Sequence, residues 1–221
     1  MWLKNTAPYL VHALLGDVGA HCRDEGGRFR YSSVMHDRCR QVIRKALCVV
    51  RPAFRLDFAD GIHGVAHWSR VWYHGRMLAA AVEVNPNICA WFAFLHDSQR
   101  HNDGFDPAHG SRAADFALRL RRQGVIDELS GPEFEYLCEA MRLHSDGHTV
   151  AEPAIRACWD SDRLDLGRVG IRPEPSRLCT DAARERSIID EAFRMSSGRG
   201  RQLGAGFAKR RGAKALEQAC A

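Results

Sequence analysis

The sequence predicts an all-α protein, and three observations carry that reading. Apolar residues recur at helical spacing in most of the chain. No segment alternates apolar and polar residues as a half-buried strand would. The breaks between periodic segments fall on Pro, Gly and Asn, which open or close helices.

Taken in order, a first helix is expected near Pro8–Leu15, followed by the Gly-rich loop DEGGRFR. Residues 34–51 read as an amphipathic helix with Val34, Val42, Ile43, Ala46, Leu47 and Val50 on one stripe, interrupted by Arg38 and ended by Pro52. The loop DFADGIHG, 57–64, leads to a helix at 65–84, with Val71, Met77, Leu78, Ala81 and Val82 as its stripe. Asn85–Pro86 stops that helix and opens the next, 87–97. After the polar loop DSQRHNDGFDP, helices are expected at 108–123, 132–144 and 152–166. The loop GRVGIRPEPS precedes a last helix at 177–195. The expected organisation is an N-terminal helical extension, 1–56, packing on a core at 57–195. A flexible Gly/Arg-rich tail at 196–221 follows.

A chain of 221 residues with 45% hydrophobic content is long and apolar enough for a substantial core. No apolar run approaches the roughly 18 residues that span a bilayer, so no membrane partner is expected. No signal-peptide pattern is read at the N-terminus. The eight cysteines form no C-x-x-C pair, and reduced thiols in a cytoplasmic protein are the expectation. Between Arg194 and Lys214 there are seven basic residues and no acid, more than the whole net charge of +5. The basicity therefore belongs to the tail. Phe207 is its one aromatic, so nucleic acid is not an expected partner beyond weak, salt-sensitive contact through it.

The stretch AWFAFLHDSQRH, 90–101, runs from large apolar residues straight into His96–Asp97. A core needs neither group; a metal ion uses both. Neighbours on a helix point about 100° apart, so both reach one ion only at a shared edge near a helix end. Three further candidates lie elsewhere: His67 in GIHGVAHWSRVW, His144 in MRLHSDGHT and Asp162 in CWDSDRLDLG. Imidazole with carboxylate is the ordinary donor set for Mn, Fe, Co, Ni or Zn, with Mg a further candidate.

The order His67-Trp68-Ser69-Arg70-Val71, Leu95-His96-Asp97, Asp162-Arg163-Leu164 resembles the HD-domain metal-dependent phosphohydrolase superfamily over roughly residues 60–170. The resemblance implies an HD-domain helical bundle in which His67, His96, Asp97 and Asp162 bind a divalent ion. Asp160 competes with Asp162 for the last place. It also implies that His109, in DPAHGSRAA, and His144 resemble the extra histidines of two-metal members, with Asp97 as the bridge, so the expected count is one or two ions.

Hydrolysis of a phosphoester needs a metal-activated water, positive charge for the phosphoryl oxygens and a proton donor. Arg70, Arg100 and Arg163 are candidates for the charge, and His101 and Asp103 for acid/base work. Structural ion pairs are the competing reading for Arg70 and for Arg163, the latter with Asp160 or Asp165. His63, His74, His148 and Asp146 are assigned to solvated surface, and Trp68, Trp72, Trp91 and Trp159 to the core. Arg168 and Arg172 lie in a segment, 163–180, expected to wall the site. The expected substrate is a small phosphorylated metabolite such as a nucleotide. A diiron oxygenase on the same helical core is the alternative, with a non-catalytic metal- or nucleotide-binding module as a third reading. Homo-oligomerisation is left open.

Overall fold

The computed structural model describes residues 33–197. The expected helix at 8–15, the loop after it and the tail beyond residue 197 lie outside the described residues. Among the described residues there are eight α-helices and two 3-10 segments, and no strand. None of these described helices is long and apolar enough to cross a membrane. The helices are α1 (Ser33–Val50), α2 (Val65–Ala81), α3 (Pro86–Leu95), α4 (His109–Arg122), α5 (Gly131–Leu143), α6 (Pro153–Arg163), α7 (Asp181–Arg184) and α8 (Arg186–Ser196).

Helix α3 is the axis of the fold. Its sequence, PNICAWFAFL, is apolar all round, and every one of its residues is buried. A helix without a polar face has to be surrounded, and α1, α2, α5 and α6 all pack against it. Its start is fixed by sequence: the Asn85 side chain accepts from Asn87 N at 3.0 Å, and Pro86 takes the first turn. The Asn85 amide also donates to Glu133 at the start of α5. Trp91 donates its indole N–H to Glu128, so the large ring is buried with its polar atom satisfied.

Two glycines permit close approaches that bring the helix ends together. A Cβ on Gly75 of α2 would stand 3.0 Å from Cys89 Cβ of α3. On Gly110 it would stand 2.2 Å from Met141 O and 3.3 Å from His144 Cε1. Only a residue without a side chain lets α4 lie this close to the end of α5, and that contact sets His109 beside His144.

Three expected helices differ in extent. The helix expected to reach residue 84 ends at Ala81, where Glu83 takes a left-handed conformation (φ 56°) and Val84 N donates back to Ala79 O. The helix expected to reach residue 166 tightens after Arg163 into a 3-10 segment, Leu164–Val169, closed by left-handed Gly170. The helix expected at 177–195 is interrupted. The buried Asp160 carboxylate accepts from Cys179 N, Thr180 N and Thr180 Oγ1 at 2.8 Å each, which holds that stretch extended. Thr180 then caps α7, and non-helical Glu185 separates α7 from α8. Trp68, Trp72, Trp91 and Trp159 are all buried, as expected.

Candidate metal centre

Five helix ends and turns converge on one cluster. His67 lies in the first turn of α2, His96 caps the end of α3, and Asp97 follows in the turn. His109 opens α4, His144 caps α5, and Asp162 stands in the last turn of α6. Apart from Asp162, all are buried. Residues from five different elements, the first and last of them far apart in sequence, thus meet only because α3 is enclosed by the others.

Asp97 divides the cluster into two halves, one on each carboxylate oxygen. On its Oδ2 side, His67 Nε2 and His96 Nε2 both stand at 3.5 Å and face one another at 3.1 Å. Asp162 Oδ1 is 3.4 Å from His67 Nε2 and 3.7 Å from His96 Nε2. On the Oδ1 side, His109 Nε2 is at 3.2 Å and His144 Nε2 at 3.8 Å, and these two nitrogens face one another at 2.8 Å. Candidate ligand atoms of His67, His96 and Asp162 lie within 4.8 Å of one another, as do those of His96, Asp97 and His144.

The tautomers follow from the partners of the other ring nitrogens. His96 Nδ1 donates to Phe92 O at 3.0 Å, and His144 Nδ1 to Met141 O at 2.7 Å. His109 Nδ1 donates to Asp106 O, and His67 Nδ1 to Asp165 Oδ2 at 2.7 Å. Carbonyls and carboxylates only accept, so in the neutral form each imidazole turns an Nε2 lone pair inward. Two pairs of lone pairs then face each other across about 3 Å, which repels unless a positive charge lies between them. Asp162 Oδ1 is buried with no hydrogen-bond partner. Such an orphaned acceptor is costly unless a cation satisfies it. This donor set fits a divalent metal ion, and the Nδ1–H anchors are those that orient metal-bound histidines.

Electrostatics agree. Burial opposes a charge on His96, but the carboxylates of Asp97 and Asp162 outweigh it and lift its pKa to about 10. Burial would also raise both carboxylates. The charge on His96 and the neighbouring imidazoles of His109, His144 and His63 instead hold Asp97 well below its ordinary range. His96, 3.7 Å away, and the charges of Arg168 and His67 do the same for Asp162. Burial, reinforced by Arg168, lowers His67 despite its contacts with Asp165 and Asp97. The pocket demands positive charge, and a proton and a metal ion compete for the same lone pairs.

The other sequence candidates fall in different places. Asp162 is in the cluster; Asp160 is spent on the loop at 179–180. Arg100 is in the cluster, with Nη1 at 3.0 Å from His109 Nε2 and 3.3 Å from Asp97 Oδ1. Arg70 is not turned to it: Nε and Nη2 grip both oxygens of the buried Asp165 at 2.5 and 3.0 Å. Asp165 in turn holds His67, so Arg70 positions a candidate ligand from behind. Arg163 pairs with neither Asp160 nor Asp165; its guanidinium donates to Arg177 O and His148 O and lies over Trp159. His101 and Asp103 are exposed on the loop and do not line the cavity over the cluster.

Two histidines assigned to solvent are buried. His63 donates from Nδ1 to Asp97 Oδ2 at 2.7 Å, and His74 sits in the core with Nε2 unpartnered. His148 and Asp146 are exposed, as expected. Sequence reasoning missed Asp165 and the role of His63. The signal was present: His63 lies four residues before His67 and Asp165 three after Asp162, spacings that share a helix face.

A cavity of about 560 Å³ opens over the cluster. Asp97, Arg100, His109, His144 and Asp162 line its floor, and Arg168, Arg172 and Arg177 line its wall. Residues between Leu166 and Leu178, within the segment 163–180 expected to wall the site, line this cavity.

No protein-family model matches the sequence, and no curated protein matches it. Among solved structures, the chain is similar to a predicted HD superfamily hydrolase from an uncultured Thermotogales bacterium. The identity is 23%, the match covers 75% of this chain and 92% of that one, and the TM-score is 0.53. The helical arrangement built here around α3 is therefore the fold of an HD-superfamily hydrolase structure.

Proposed function

We propose that the protein is a metal-dependent phosphohydrolase of the HD type, acting on a phosphate mono- or diester of a nucleotide or a similar small phosphorylated metabolite. The observation that carries the reading is the inward set of ligand atoms, His67 Nε2, His96 Nε2, Asp97 Oδ2 and the orphaned Asp162 Oδ1. The fold's likeness to a predicted hydrolase of this type supports it.

These four residues would hold a divalent ion, which would lower the pKa of a bound water and polarise a phosphoryl oxygen. The chain's own groups do the rest. Asp165 and the Phe92 carbonyl hold the imidazoles of His67 and His96 in the tautomer that presents Nε2. His63 holds Asp97 from its outer side. Arg168 stands in the cavity wall with Nη2 3.7 Å from Asp162 Oδ1 and a buried, unpartnered Nε. A phosphoryl oxygen entering the cavity would satisfy that N–H and accept from the planar guanidinium fork. Arg172, paired with Asp190, and Arg177, 3.8 Å from Glu174, also line the cavity. A cavity of about 560 Å³ is within the range that holds a nucleotide-sized ligand.

The test is a panel of nucleoside monophosphates and phosphodiesters, assayed with Mn²⁺ for release of phosphate or nucleoside. The wild type should turn over a member of the panel only when metal is added, and Asp97→Ala should lose metal and activity together. Full activity in Asp97→Ala would sink the assignment.

A further inference from the structure

The two halves of the cluster differ in how closely a protein cation engages their donors: one is hydrogen-bonded by a guanidinium and the other is not. Arg100 Nη1 contacts His109 Nε2 at 3.0 Å and Asp97 Oδ1 at 3.3 Å, two of the three donors on that side. The guanidinium is locked in place. Nη2 donates to Gly104 O at 2.7 Å and Nε to Asn102 O at 3.3 Å, so the loop 100–104 curls around the group it holds. Arg100 N also donates to Asp97 O at 3.2 Å, which closes the turn that aims the side chain back at the carboxylate. The residue is buried. Guanidinium has no acceptor and keeps its charge at any physiological pH. A divalent ion sharing its donors would sit against a like charge in a low-dielectric site. In the other half the nearest guanidinium, that of Arg168, stands 3.7 Å from Asp162 Oδ1, and that oxygen accepts no hydrogen bond.

We propose that Arg100 is the resident cation of the half formed by Asp97 Oδ1, His109 and His144, and that the centre takes a single metal ion, in the half formed by His67, His96, Asp97 Oδ2 and Asp162. The inference rests on the metal-binding reading above and decides its stoichiometry. His109 then serves to hold Arg100 against Asp97, with His144 facing His109 at 2.8 Å, and neither ligates. A dinuclear oxygenase reading has no place for its second ion.

The experiment counts ions per chain by elemental analysis, after chelator stripping and equilibrium dialysis against Mn²⁺, with electron paramagnetic resonance to detect a spin-coupled Mn²⁺ pair. Wild type should bind one ion with no coupled signal. His109→Ala and His144→Ala should also bind one. Arg100→Met, which keeps the bulk and removes the charge, should bind two with a coupled signal, and Arg100→Lys should stay at one. Two ions in wild type, falling to one in His109→Ala, would overturn the inference and leave the metal reading intact. A folded Arg100→Met that still binds one would also overturn it. No ion in wild type would overturn the metal reading and this inference with it. If Arg100→Met does not fold, the histidine variants decide alone.

Discussion

The two halves of the cluster are built from the same parts and are finished differently. Each has two imidazoles whose Nδ1–H groups are tied to an acceptor, and each has one oxygen of Asp97. The Oδ2 half adds Asp162 and has no guanidinium within hydrogen-bond reach of that carboxylate's inner oxygen. The Oδ1 half adds Arg100. Ligand-type residues therefore do not by themselves make a metal site. What separates the halves is whether a guanidinium hydrogen-bonds the donors, as Arg100 does, or stands 3.7 Å off, as Arg168 does.

The largest expected effect comes from breaking the Oδ2 half. His96→Ala or Asp162→Ala should abolish Mn²⁺ binding and reduce any metal-dependent hydrolysis to background, measured by elemental analysis and steady-state assay. Retained binding in both variants would remove the distinction between the halves.

The next effect lies one layer out. Asp165→Asn weakens the anchor behind His67 and strips Arg70 of its partner. Changes of this kind behind a metal-bound histidine cost on the order of 10–100-fold in affinity. Calorimetric titration with Mn²⁺ should show that loss for Asp165→Asn. The same change should leave Arg100 and its contacts untouched, so the Mn²⁺ count at saturation stays that of wild type.

A third effect separates the core from the site. His74 lies on α2 with His67 but has no hydrogen-bond partner at Nε2. Burial lowers its pKa from 6.5 to about 4, against a smaller opposing influence from Asp165. The unfolded chain therefore takes up the proton first. Its contribution to stability is complete above pH 6.5 and is lost as pH falls toward 4, by about 3 kcal/mol. Denaturant unfolding at pH 7 and pH 4 should show this loss in wild type, and His74→Leu should lose about that much less. An unchanged acid slope in His74→Leu would contradict it.

The smallest effect is local. Ser130 and Glu133 form a reciprocal cap at the start of α5, with Glu133 also bound by Asn85 before α3. Ser130→Ala should cost about 1 kcal/mol in unfolding free energy without changing the ion count.

Much of this was legible in the sequence, and the limits have physical causes. The all-apolar run 86–95 and its Asn-Pro opening mark the buried helix, because nothing else can be done with such a segment in water. The break at 178–185 was not legible, because it is imposed by Asp160, about 20 residues away in sequence and reaching across from α6. The same holds at the site. His67, His96, Asp97, His109, His144 and Asp162 could be picked out by type and order, and the structure brings all six together. Which arginine faces the cluster could not be read, since Arg70, Arg100 and Arg163 are equally close to candidate ligands along the chain. Only packing shows that Arg70 is held by Asp165 and Arg163 by backbone carbonyls, which leaves Arg100 pointing inward.

The most direct test of the central claim is anomalous diffraction at the Mn absorption edge from crystals of the full chain equilibrated with Mn²⁺. The account predicts one strong peak per chain, within bonding distance of His67 Nε2, His96 Nε2, Asp97 Oδ2 and Asp162 Oδ1. No peak among those four atoms, with the protein otherwise ordered, would contradict it.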